Sequence, residues 1–422
     1  MKRFTAMLLC VLLIFSLAAC GDSDTNNGTK ESSSQASSDD TGSGDTAVSE
    51  TADSEGTETA AETSGDSAAT LPIADNAVDF VKNLKAGWSL GNTMDANGST
   101  TLASETSWGA PMTDTAIFAA LKEYGFSTVR IPTSWGNHCT LNDDGSYTID
   151  PEWMARVTEL VDAALDAGLY VIINSHHDND YYYPTKDNQE NALNFISSIW
   201  SQIAENFKDY DERLVFESMN EPRLADTSKE WWFNTNDPDG VAAIECINAC
   251  NQKFVDVVRA AGGFNETRFL AVPSHAANGD YAINGGTFVP PTDTIENHII
   301  ISVHAYSPYN FCMNYSGGTS EWNADSEMSG INSFLDNLKT RFIDNGYGVY
   351  IGETGCTNKD NVEDRVEWCK DFTAAVKEHG MAAFWWDNMG TKSGDENFGL
   401  FSRYTMMPLY EDICSAFTEG FN

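Results

Sequence analysis

The sequence predicts an α/β fold, a closed (β/α)8 TIM barrel, and three observations predict it. Eight apolar runs of strand length alternate with longer stretches of helical period. No short-period repeat or second linker divides residues 71–422, a length of about 350 residues that suits one large domain. Most strand-like runs are followed at once by residues able to do chemistry, as at the C-terminal mouth of a parallel barrel.

Strands are expected at Leu84–Leu90, Thr128–Ile131, Tyr170–Asn174, Leu214–Met219, Arg268–Val272, Ile299–Val303, Gly348–Ile351 and Met381–Trp385. Helices are expected at Asp114–Tyr124, Pro151–Asp166, Asn188–Phe207, Val241–Arg259, Gly330–Asn345 and Val362–Glu378, with a short one near Leu409–Phe417. Pro151 suits a first helical turn, where its missing N–H costs nothing, and Asp150 is a fitting cap. Gly125, Gly168, Gly262, Gly346 and Gly380 each follow a helical run, where a left-handed residue ends a helix. The fifth unit is irregular: between Val272 and Ile299 the chain is rich in Gly, Pro, Asn and Asp, which predicts long loops. The competing architecture is a doubly wound open sheet, which would scatter the polar strand ends along a crevice.

Those strand ends carry Asn92 and Asp95, then Arg130 with Trp135 and His138, then His176 and His177, then Asn220 and Glu221. Later ones carry His304 and Tyr306, Glu353, and finally Trp385, Trp386 and Asp387. In a barrel these would converge on one mouth. Glu221 after strand four and Glu353 after strand seven would then face each other across it. Two carboxyl groups about 5–5.5 Å apart, one acid and one nucleophile, are the equipment of a retaining glycosidase. An isolated glutamate closing a strand is more often a surface acid; two beside buried strands, with His, Tyr and Arg at neighbouring ends, are not.

The motifs Gly87–Asp95, Val129–Trp135, Val171–Asp178, Asn220-Glu221-Pro222, Val303–Pro308, Ile351–Thr354 and Phe384–Asn388 resemble, in order, those of glycoside hydrolase family 5, above all its subfamily 4. The resemblance covers about residues 75–417. It implies a retaining endo-β-1,4-glucanase acting on cellulose or β-glucan by double displacement. A xyloglucanase or mannanase with the same machinery is the alternative, and a non-catalytic surface glycan-binding protein a more distant one. The resemblance makes Glu221 the acid/base and Glu353 the nucleophile, and gives Asn220 the sugar's 2-hydroxyl. Arg130, His176, His304 and Tyr306 would order carboxylates and hydroxyls, and Trp386 would lie beneath the cleaved residue. Ser89, Met94 and Ser175 depart from the usual subfamily pattern, Ser175 immediately before the histidines.

Physical reasons for these roles stand apart from the resemblance. Arg130 near Glu353 favours a charged nucleophile, whereas Glu221 is expected to have a raised pKa through burial and repulsion from Glu353. His176-His177-Asp178 invites a metal reading, but adjacent strand residues point to opposite faces, so no metal and no cofactor is expected. Arg130 alone could be a buried salt-bridge partner. One of Trp385 and Trp386 should pack into the core and the other face the cleft. Trp135, Tyr181, Tyr182, Tyr183, Trp231, Trp232 and Tyr309 suggest a long sugar-stacking groove, with about half of them merely packing loops.

Residues 1–20 read as a lipoprotein-type signal peptide: Lys2 and Arg3, an apolar stretch, then Leu17-Ala18-Ala19-Cys20. Cys20 is the expected lipidation site, and an ordinary signal peptide with secretion is the alternative. Residues 21–70 carry twelve acids against Lys30 alone and almost no bulky apolar group, as expected of a disordered acidic Ser/Thr/Gly-rich tether. The remaining catalytic region, 71–422, still holds −30 of the net charge of −39. That argues against nucleic acid and anionic membrane as partners, so membrane contact is expected only through a lipid anchor. A monomer at the outer face of the membrane, acting on an uncharged β-glucan polysaccharide, is the expected arrangement. Seven of the nine cysteines lie beyond Cys20, without a CxxC pair, an odd count that argues against a disulfide framework.

Overall fold

The computed structural model describes residues 71–422 apart from 73 and 285–286. The expected signal peptide, Cys20 and the acidic tether lie outside the described residues. Eight parallel strands close a barrel: β1 Ala86–Leu90, β2 Thr128–Ile131, β3 Tyr170–Asn174, β4 Leu214–Glu217, β5 Leu270–Asn278, β6 Ile299–His304, β7 Gly348–Thr354 and β8 Ala382–Asp387. Each strand neighbours the next in sequence, and β8 returns to pair with β1, Ala86 opposite Ala383. The open-sheet alternative is thereby ruled out.

Alternation along the strands builds two apolar layers. Ile172, Val215, Ala271, Ile300, Tyr350 and Phe384 form one cluster with Phe80, Val81 and Leu84. Val171, Ile173, Leu214, Phe216 and Ile301 belong to the other, larger cluster, shared with the surrounding helices. The same parity puts Arg130 on β2 and Glu217 on β4 on the inner face, near the strands' C-terminal ends.

The helix Ala77–Leu84, which sequence reading did not anticipate, packs its apolar face into the first cluster. Asn76 caps it by accepting a hydrogen bond from Asp79 N at 2.9 Å. Asp150 caps Pro151–Asp166 through Glu152 N at 2.8 Å. All five helix-ending glycines named above have positive φ, between 70° and 89°. The fifth unit corrects expectation: β5 runs on to Asn278 and leads into a short helix, Gly279–Asn284. Six residues are too few to show a helical period, so the segment read as loop. No helix among the described residues is long and apolar enough to cross a membrane.

Candidate active site

At the mouth of the barrel, Arg130 organises the acids. Its Nε donates to Glu217 Oε2 at 2.8 Å, one Nη to Glu353 Oε1 at 2.8 Å and the other to Asn220 Oδ1 at 2.7 Å. Burial opposes its charge, but Glu217 and Glu353 outweigh burial and raise its pKa. Glu217 is fully buried and also accepts from Ser302 Oγ at 2.5 Å, Asn174 Nδ2 at 2.9 Å and Tyr350 OH at 3.2 Å. It is therefore the acceptor that fixes Arg130, and sequence reading missed it. The available signal was parity, since Glu217 shares its face of β4 with the inward Val215.

Glu353, at the end of β7, also accepts from Tyr306 OH at 3.1 Å. Burial and the two glutamates keep that phenol's pKa well above its ordinary value, so it remains a donor. His176 Nε2 approaches Glu353 Oε1 at 4.0 Å. Asn174 Nδ2 lies 3.2 Å from His176 Nδ1, which fixes the tautomer with its proton on Nε2, toward Glu353. Burial, then the charges of His177 and Arg130, hold the His176 pKa well below the usual value, so the ring is neutral.

Glu221 has different partners. Its Oε1 lies 2.7 Å from His304 Nδ1, which is also 3.6 Å from Glu353 Oε2. Arg223, a residue the sequence reading did not single out, is 3.5 Å from Glu221 Oε2. The Arg223 guanidinium also lies 4.4 Å over the Trp231 ring and bonds Glu230 at 3.0 Å. The expectation of a raised Glu221 pKa is corrected here. Burial raises it, but the His304 hydrogen bond and the charges of His304 and Arg223 bring it below the ordinary value. The proton of this pair rests instead on His304. Burial works against that charge, yet Glu353 and Glu221 raise the imidazole's pKa.

Trp386 is half-buried and lies parallel to His176, ring centres 5.5 Å apart, while Trp385 is fully buried and donates to Phe398 O at 2.7 Å. Other strand-end candidates are structural. Asp387 accepts from Trp88 Nε1, Leu400 N and Phe401 N, and His138 stacks on Trp153. Asn92 ties the β1 loop to Asn388 O. Ser175 donates to Asp178 at 2.6 Å, and Asp178 in turn accepts from the backbone of Trp135 and Gly136.

The groove aromatics divide. Trp231, Trp232 and Tyr309 are 54%, 69% and 65% exposed, whereas Trp135 and Tyr182 are fully buried. Trp135 departs from its expected place because its indole N–H is taken by Asn174 O at 2.8 Å. Strand parity does not separate His176 from His177 as expected: β3 ends at Asn174, and the two rings are 4.5 Å apart. Donor atoms of Asp95, His176 and His177 lie within 4.8 Å of one another, as do those of Glu221, His304 and Glu353. In the second group a 2.7 Å hydrogen bond already joins imidazole to carboxylate.

Acids this close fit a double displacement; an inverting pair stands about 6.5–9.5 Å apart to admit water. Comparison with known proteins agrees. Residues 94–392 match the sequence model of cellulase, glycosyl hydrolase family 5. The chain is 40% identical to cellulase/esterase CelE of Acetivibrio thermocellus, over 85% of this chain but 42% of that protein. It is 38% identical to endoglucanase A of Ruminococcus albus, over 85% of this chain and 96% of that one. A family 5 lichenase from Caldicellulosiruptor sp. F32 superposes with a TM-score of 0.78 at 41% identity, covering 84% and 97% of the two chains. A GH5-4 broad-specificity endoglucanase from Ruminococcus champanellensis with bound cellotriose gives 0.76 at 39% identity, covering 82% and 99%. With the closed barrel, the paired acids and these relatives in agreement, the chain belongs to glycosyl hydrolase family 5, among the subfamily 4 endoglucanases.

Proposed function

We propose that this chain is a retaining endo-β-1,4-glucanase that cleaves internal bonds of cellulose or β-glucan by double displacement, with Glu353 as nucleophile and Glu221 as acid/base. The observation that carries the reading is the unequal company of the two acids. Glu353 is bound to Arg130, a permanent cation, and to Tyr306. These two donors orient the carboxylate for attack on the anomeric carbon. Glu221 instead shares a proton with His304, an imidazole whose pKa Glu353 and Glu221 raise against the effect of burial, as a residue that must give and retake a proton requires.

As the glycosidic oxygen gains charge, the proton held on His304 Nδ1 passes to Glu221 and from it to the leaving sugar. Esterification of Glu353 removes the negative charge 3.6 Å from His304, and the freed Glu221 carboxylate then activates water. Asn220 offers its amide N–H to the 2-hydroxyl, because its oxygen is engaged by Arg130. Trp386 supplies an apolar face to the sugar ring.

The relatives' names, endoglucanase, lichenase and broad-specificity endoglucanase, support a β-1,4-linked or mixed-linkage glucan over mannan. The test is a product profile on barley β-glucan, xyloglucan, carboxymethylcellulose and glucomannan. Rapid loss of glucan viscosity with few new reducing ends is expected. Fast attack on mannan alone would overturn the substrate class.

A further inference from the structure

Two cysteines far apart in sequence meet between the loops that follow β6 and β7. Cys312 ends the single-turn helix Tyr309–Cys312, and Cys356 stands three residues past Glu353. Both are fully buried, and their Sγ atoms are 2.8 Å apart. Thr357 N donates to Cys312 O at 2.8 Å, so the two backbones run side by side at this point. A second observation marks the pocket. Arg365 is fully buried with all three guanidinium nitrogens lacking a hydrogen-bond partner among the described residues, and it faces Cys356 and Cys369.

We propose that Cys312 and Cys356 are a modification site, joined as a disulfide in the exported protein. One thiolate attacks the disulfide of an external thiol–disulfide oxidant, and one oxidant sulfur leaves as a thiolate. The other cysteine's thiolate then displaces the second oxidant sulfur. The S–S bond forms with loss of two protons, and the two electrons leave on the oxidant as a dithiol. Burial pushes the Cys356 thiol well up, with Arg365 opposing it, so exchange belongs to folding, before helix Val362–Glu378 seals the pocket. The bond spans 44 residues and ties the segment bearing Tyr306 to the strand bearing Glu353, which fixes the donor–acceptor pair in the site. Spacing in the sequence hides this pair, because only the adjacency of β6 and β7 brings its members together.

The full chain, exported to a bacterial periplasm, is denatured in guanidinium with iodoacetamide and no reductant, then digested for mass spectrometry. A linked peptide containing Cys312 and Cys356, with Cys369 alkylated, is expected. Alkylation of both partners, or a bond from either to Cys369, would overturn the proposal. A phosphine reductant should lower the Tm of the native chain by about 5 °C and leave the Cys312→Ser/Cys356→Ser double variant unchanged. A native Tm indifferent to reductant overturns the structural role.

Discussion

His304 Nδ1 stands 2.7 Å from Glu221 Oε1, so the acid/base assigned to this enzyme shares its proton with an imidazole whose own pKa is raised. Burial lowers that pKa, but Glu353 and Glu221 raise it further. The His304 proton is fully present below the ordinary histidine value of about 6.5 and is lost as pH rises through the higher folded value.

The alkaline limb of kcat/KM is therefore expected above about pH 6.5. In His304→Asn the proton has only Glu221 to rest on, so the limb should move toward acid, with a rate loss of about 100-fold. A pH–rate profile of both proteins checks this. An unmoved limb would show that His304 does not hold the proton.

Glu221→Ala should slow cleavage most for substrates with poor leaving groups, by at least about 100-fold. Aryl cellobiosides, whose leaving groups need no proton, should lose less, and azide should restore turnover by replacing activated water. Equal losses on both substrate kinds, with no azide effect, would remove Glu221 from the acid/base role.

Glu217→Ala removes the acceptor shared by Arg130, Asn174, Ser302 and Tyr350. Breaking one side of a buried ion pair costs about 3–5 kcal/mol. Guanidinium unfolding should show that loss, together with weakened activity as Arg130 loses its orientation. An unchanged midpoint would mean that the Arg130–Glu217 pair is not the scaffold of the site.

The barrel was legible because its strands are apolar runs buried on two faces and its helices are long enough to show a period. Residues of the site were legible where a strand end coincided with a chemistry-bearing side chain, as at Glu353 and His304. Glu217 was not, since the strand expected at Leu214–Met219 placed it inside the run, whereas β4 ends at it, and only inward parity with Val215 marks it. Arg223 escaped notice because its meaning comes from Trp231 and Glu230, brought to it by the loop's own fold. Trp135 misled because an indole in a loop resembles a sugar platform until its N–H is found bonded to Asn174. The lowered Glu221 pKa could not be read either, as it depends on which oxygen faces His304.

From Leu17-Ala18-Ala19-Cys20 we propose a lipid anchor, with residues 21–70 as an acidic tether. Cys20→Ser should leave an unprocessed precursor or release the enzyme into the medium. Deleting 21–70 should barely alter activity on soluble glucan but reduce access to insoluble fibres. Cell fractionation decides the first point: unchanged membrane retention of Cys20→Ser would rule out the anchor.

In the proposed double displacement, Glu353 attacks the sugar and carries it covalently. The most direct measurement is mass spectrometry of the enzyme inactivated by a 2-deoxy-2-fluoro cellobioside with a good leaving group, a substrate that slows release of the intermediate more than its formation. One added fluoro-cellobiosyl group is expected on the peptide containing Glu353, and none in Glu353→Gln. A label on Glu221, or turnover with no covalent adduct, would contradict the assignment of Glu353 as nucleophile.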